Sequence, residues 1–153
     1  MTKFLLDANV FIQAKNLHYG FDFCPAFWDW LVAQNGTGTV ASIEKVSDEL
    51  VGGGDVLSDW AGAQGKAFFL PPDDQVLPAL AQVSAWATGQ NYEPAAIATF
   101  LQVADYWLVA HALALDQFHR QPQQRRHDTL VRCFLEVVPA QERQYQAQVA
   151  EAE

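Results

Sequence analysis

The chain has 153 residues, half of them apolar, with five Trp and ten Phe, which is enough for one domain with a packed core and excludes disorder throughout. Its net charge of −9 excludes tight nonspecific nucleic-acid binding over the whole surface, but suits a nuclease whose carboxylates hold divalent cations. No basic-then-apolar leader opens the sequence and no run of about eighteen apolar residues occurs, so the expectation is a cytoplasmic protein with no membrane partner.

Phe4-Leu5-Leu6 reads as a short strand covered on both faces, because continuous apolar residues suit a buried parallel strand. Asp7 then stands at the carboxyl end of that strand, where open α/β sheets place their ligands. Its plainer reading is a turn residue. Asn9 can cap the following helix or hold a neighbouring group, and Val10, Ala14 and Leu17 continue that helix. Residues 18–25 form a loop, and Pro25 suits the first turn of a helix through Ala33 that ends at Asn35-Gly36-Thr37-Gly38. The aromatics of this helix recur at helical spacing and read as core rather than as base-stacking platforms. Tyr19, Phe21 and Phe23 are left open between those two roles.

Thr39–Ser42 reads as a second strand or as the lead into a helix with Ser42 as its N-cap. Lys45–Leu50 is helical, stopped by Gly52-Gly53-Gly54. Glu49 lies near its end, beside the buried-side residues Val46 and Leu50. A lone helical Glu is ordinarily a solvated one. Another helix spans Val56–Ala63, and a strand spans Lys66–Leu70, ended by Pro71-Pro72. Asp73 or Asp74 opens a helix through Trp86, with Pro78 in its first turn or kinking it. Tyr92-Glu93-Pro94 restarts a helix through Leu101. Ala104–Ala114 is an apolar helix with Asp105 as a plausible N-cap and His111 as a packed core residue.

After Leu115 the apolar pattern fails. All five arginines lie between Arg120 and Arg143, whereas residues 1–119 carry four Lys against thirteen acids. Residues 116–128 read as an exposed loop, 129–138 as a strand or short helix, and 141–153 as a polar terminal helix or tail. Domain organisation is therefore a core over residues 1–117 and a divergent, partly flexible segment over 118–153. Cys24 and Cys133 are too few for a disulfide framework and read as reduced, small buried hydrophobes.

Asp7, Glu49 and Asp105 each stand near an element end, and parallel α/β packing can bring such ends to one sheet edge. Three converging carboxylates repel one another unless cations neutralise them. Hard oxygen donors select Mg²⁺ or Mn²⁺, which can activate a water against a phosphodiester. The chain lacks a phosphate loop, a Gly-x-Ser-x-Gly motif, a Cys-x-x-Cys pair and any His spacing suited to zinc. An aspartyl-nucleophile phosphatase needs a second Asp where Asn9 stands.

Leu5-Leu6-Asp7-Ala8-Asn9-Val10-Phe11-Ile12 resembles the opening motif of PIN-domain nucleases. Lys45-Val46 with Glu49-Leu50 is similar to their second acidic position, and Ala104-Asp105-Tyr106-Trp107-Leu108-Val109-Ala110 to their third. Residues 19–31 resemble an uncharacterised, toxin-like PIN subgroup. The resemblance covers about residues 3–115. It implies an α/β fold of the PIN-like α/β/α kind around a mainly parallel sheet. It also implies a Mg²⁺- or Mn²⁺-dependent ribonuclease, the toxin of a bacterial type II toxin–antitoxin pair. Asp7, Glu49 and Asp105 carry over as catalytic metal ligands, with Asn9 as a weaker neighbour. RNA is then the substrate, a cognate antitoxin a partner, and a homodimer an expectation, with Trp86 or Trp107 in its interface or in the core.

The C-terminal part departs from the family pattern. Where PIN domains add a strand that completes the site, this chain has Phe118–His127, and Asp116 and Asp128 match no motif. Arg120, Arg125 and Arg126 could meet RNA phosphates or simply be solvated. The alternative function is a catalytically degenerate PIN-like module that binds an antitoxin or RNA without cleaving.

Overall fold

The computed structural model describes residues 4–119, with side chains through Asp116. The expectations for Arg120, Arg125, Arg126, Asp128, Cys133 and the segments 129–138 and 141–153 lie outside the described residues. The chain is a mixed α/β protein. It divides into two compact units, Met1–Asp74 and Gln75–Glu153.

The first unit is built on parallel pairing. Strands β1 (Phe4–Leu5), β2 (Val40–Ile43) and β3 (Phe69–Leu70) stand in the order β1-β2-β3. Phe4 pairs with Val40 and Leu5 with Ala41; Ser42 pairs with Phe69 and Ile43 with Leu70. Parallel neighbours need a crossover rather than a hairpin. Here α1 (Ala8–Gln13), a π-helical turn (Ala14–His18) and α2 (Pro25–Gly36) connect β1 to β2, and α3 (Glu44–Val51) and α4 (Val56–Gln64) connect β2 to β3. All four β2 residues are buried, as suits a central strand covered on both faces. The same expectation fails for β1, where Phe4 is 60% exposed. Among the described residues β1 pairs only with β2, so it is an edge whose first side chain is left open.

Ser42 is not the expected N-cap. It lies inside β2, fully buried, and its Oγ donates to the Leu6 carbonyl at 2.6 Å. Ile43 takes the cap position of α3 instead, with no side-chain cap bond. Asn35, at the end of α2, donates from Nδ2 to the carbonyls of Val40 (2.9 Å) and Ala67 (3.1 Å), tying the entries of β2 and β3 together.

Aromatic residues fill the space over the sheet. Phe11 has its ring centroid 5.7 Å from Trp60 and 6.1 Å from Phe68. Trp28 is buried, stacks on Phe21 at 4.0 Å and donates from Nε1 to the Tyr19 carbonyl at 2.7 Å. The core reading therefore holds for Trp28 and extends to Phe21, but Phe23 is 87% exposed. Cys24 is half-buried.

The second unit is helical. Helices α5 (Val76–Thr88), α6 (Pro94–Phe100) and α7 (Ala104–His119) share a core of Val76, Ala79, Leu80, Val83, Phe100, Val109 and Leu113. Trp86 and Trp107 are partly buried against that core, and His111 is buried. Neither Asp73 nor Asp74 caps α5; Gln75 holds that position. Pro78 is third in the helix, where its missing N–H has no intrahelical acceptor to lose. Helix α7 runs past the expected break to His119, because a helix continues on backbone hydrogen bonds where apolar spacing has already stopped. Among the described residues no single helix is long and apolar enough to cross a membrane.

Replacing Ser42 with Ala removes a buried hydroxyl donor. The expected loss is about 1–2 kcal/mol, read as a lower midpoint in urea-induced unfolding with an unchanged slope.

Candidate acidic site

Asp7 is the second residue past β1. The residue before it, Leu6, is held on both backbone groups by β2: its N–H donates to the Ala41 carbonyl at 2.9 Å and its carbonyl accepts from Ser42. Asp7 itself is half-buried and has extended backbone angles. Its Oδ1 accepts from the Ala8 N–H at 2.7 Å and its Oδ2 from Asn9 Nδ2 at 3.1 Å. The strand-end and turn readings of Asp7 are thus both true, because the residue stands just past β1 and caps α1. Asn9 lies inside the first turn of α1 and does not cap it, but it does hold its neighbour.

Glu49 follows the neighbouring parallel strand. β2 runs directly into α3, whose Val46 and Leu50 are buried and fix the helix rotation. Glu49 remains exposed as a residue, yet partial burial of its carboxyl and the charge of Asp7 both push its pKa above the ordinary 4.5. Desolvation is the larger cause, and like-charge repulsion adds to it. Two acids 42 positions apart in sequence are therefore electrostatic neighbours.

A second tie holds the far end of this arrangement. Lys15, on the π-helical turn after α1, forms an ion pair with Asp55. Asp55 caps α4 in a capping box: its Oδ1 accepts from the N–H groups of Leu57 (2.9 Å) and Ser58 (3.1 Å), and its own N–H donates to Ser58 Oγ at 3.1 Å. Ser58 Oγ in turn donates to the Leu50 carbonyl, one residue past Glu49, at 2.8 Å. The Lys15 hydrogen bond, aided by the cap, holds the Asp55 carboxyl below the usual range. Asp55-x-x-Ser58 after a glycine run is a cap signal available in the sequence. The Lys15–Asp55 pair, forty residues apart, had none.

Asp105 belongs to the second unit. It lies in the first turn of α7, inside the cap position rather than at it, where a carboxylate meets the positive end of the helix dipole. The next residue, Tyr106, donates from its hydroxyl to the Leu80 carbonyl at 2.8 Å, and burial pushes its pKa up. Within the first unit Asp7 and Glu49 are a pair, and no third His, Cys, Asp or Glu among its described residues joins them as a metal-holding group. Asp116 is half-buried on α7, and Asp128 lies outside the described residues.

Residues 4–119 match a family described as a domain of unknown function, DUF4411. The chain belongs to that family. Neither a curated protein nor a solved structure matches the chain. Asp7, Glu49 and Asp105 all fall inside the DUF4411 span, and the arginine-bearing residues begin just beyond it.

Folding raises the Glu49 pKa, so the folded state holds the Glu49 proton more strongly than the unfolded chain does. The stabilising contribution of that proton is complete below the unfolded value and is lost as pH rises through the folded value. Glu49→Gln is expected to raise the urea midpoint at neutral pH, with the gain closing as pH falls below 4.5. In a side-chain NMR titration, Asp7→Asn is expected to lower the Glu49 pKa only part of the way, since the desolvation remains.

Proposed function

We propose that this DUF4411 chain is a metal-dependent ribonuclease of PIN-like type, the toxin of a bacterial type II toxin–antitoxin pair, acting on RNA in the cytoplasm. The observation that carries the reading is the Asp7–Glu49 pair: one carboxylate at the end of a parallel strand raises the pKa of another on the helix after the neighbouring strand. Open parallel sheets place their chemistry at that edge.

The donors fit a hard divalent cation. Both are carboxylates, they repel each other, and no soft sulfur or imidazole donor is among them. Asp7 and Glu49 would hold Mg²⁺ or Mn²⁺, with Asp105 as the third ligand that the resemblance to PIN nucleases supplies. When bound, such an ion supplies Lewis acidity at a phosphate oxygen and makes a water more acidic. The chain's own residues do the rest. Asn9 and the Ala8 N–H orient the Asp7 carboxylate. The grip of β2 on Leu6 keeps that carboxylate from swinging away.

A catalytically degenerate module that binds RNA or an antitoxin without cleaving is the second reading. It is favoured by the finding that the first unit gathers two acids and not three.

Calorimetric titration with Mn²⁺ tests the proposal. The wild-type chain is expected to bind, and Asp7→Asn to abolish binding. Mg²⁺-dependent cleavage of single-stranded RNA is expected to fall on the order of 100-fold or more in Asp7→Asn and in Asp105→Asn. Full cleavage in either variant would reject the three-acid assignment. A folded wild type that neither binds Mn²⁺ nor cleaves RNA would leave the degenerate module as the better description.

A further inference from the structure

The first unit carries an aromatic surface that neither the core nor the acidic pair uses. Tyr19 stacks on Phe27 with centroids 4.3 Å apart and planes 12° apart, and Phe27 meets Trp30 at 6.1 Å and 29°. The outer members of this ladder face water: Tyr19 is 42% exposed and Trp30 is 51% exposed. Phe23, at the turn that leads into α2, is 87% exposed. The other residues of the ladder's helix face offer no competing polar role, since Ala26 and Ala33 are exposed alanines at helical spacing from Trp30. Large apolar side chains clustered in this way mark a binding surface rather than scattered exposure.

The charges around the ladder choose the partner. Asp22 precedes Phe23 and Asp29 precedes Trp30, and both acids are exposed. Neither Lys nor Arg occurs between Lys15 and Lys45. The exposed carboxylates of Asp22 and Asp29 disfavour an RNA backbone or an anionic lipid surface at this face. An arginine side chain gains twice: its guanidinium stacks on an electron-rich ring face and pairs with a flanking carboxylate. Apolar side chains one helical turn away from such an arginine would cover Phe23.

We propose that the ladder of Tyr19, Phe27 and Trp30, with Phe23 and the carboxylates of Asp22 and Asp29, is a docking site for an arginine-bearing amphipathic helix of another protein. The proposal is independent of the nuclease reading, because it uses none of the residues assigned to the acidic site.

The test uses the full-length chain and a fluorescein-labelled synthetic peptide of about 20 residues, long enough to form a helix, with leucines on one face and arginines along its borders. Fluorescence anisotropy is expected to give saturable binding in the micromolar range. Trp30→Ser and Phe23→Ser are each expected to weaken it about tenfold or more. Asp22→Asn with Asp29→Asn is expected to weaken it about threefold or more at low salt, with the difference shrinking at high salt. Leu77→Ser, an exposed apolar position in the second unit, is expected to leave it unchanged. Phe23 is exposed enough that its variant keeps the wild-type unfolding midpoint, so loss of binding there reports the surface and not the fold. The proposal is overturned if no saturable binding occurs, or if the aromatic variants bind as well as wild type. It is also overturned if a uridine-rich RNA or phosphatidylglycerol vesicles bind the wild type and lose binding in the same variants.

Discussion

The grip of β2 on Leu6 is the constraint on which the acidic site depends. Leu6 is not itself a catalytic type of residue, but both of its backbone groups are bound to β2, one by the Ala41 carbonyl and one by the Ser42 hydroxyl. Without the hydroxyl the Leu6 carbonyl would lose this bond, and Asp7 would hang from a freer turn. Because Ser42 is also two residues before the start of α3, the same short strand sets the position of Glu49. A displacement of β2 moves both carboxylates, so their separation is a property of one element rather than of two loops.

The opposite end is closed by charge. Lys15 and Asp55 join the continuation of α1 to the cap of α4, and Ser58 joins that cap to the last turn of α3. The Lys15–Asp55 pair is only partly buried, so its Coulomb energy is screened and its worth lies in geometry more than in stability. The capping box supplies the firmer part, since it satisfies helix N–H groups that nothing else in α4 can reach. The ring from Asp7 through α1, Lys15, Asp55, Ser58 and α3 back to Glu49 is thereby closed by hydrogen bonds at both ends. The repulsion between the two acids acts against that closed ring and is not relieved by drift of either helix.

Much of this was legible in the sequence because its signals are local. An apolar run that stops at an acid marks a strand end, and three glycines mark a helix end, so the settings of Asp7 and Glu49 could be read directly. Proline placement gave the starts of α2 and α6 for the same reason. The second-strand reading of Thr39–Ser42 holds, but the cap role of Ser42 does not: a serine before a helical run looks like a cap, and only the pairing of two distant strands reveals that its hydroxyl serves Leu6. The openness of Phe4 was also hidden, since an apolar triplet does not say whether its strand is central or an edge. The Lys15–Asp55 pair is a tertiary contact between two residues with no shared pattern. The end of α7 was placed too early because apolar spacing records burial, whereas a helix continues for as long as its backbone bonds are made.

Asp7 and Glu49 also run against the usual logic of a stable fold. An ordinary solvated helix face carries Glu where water and opposite charge can reach it, and Lys45 and Asp48 on the same helix form such an exposed pair. Glu49 instead faces a like charge with part of its carboxyl dehydrated. Lys15, on the turn after α1, is committed to Asp55. The first unit thus uses Lys15 to tie two helices together, while Asp7 and Glu49 meet as like charges. A bound cation would turn that repulsion into attraction at positions already set, because the Asp7 carboxylate is held by hydrogen bonds and the helix of Glu49 by buried Val46 and Leu50. Preorganised repulsion of this kind is a cost to folding that a ligand of opposite charge recovers, and it distinguishes this pair from the other acids of the first unit.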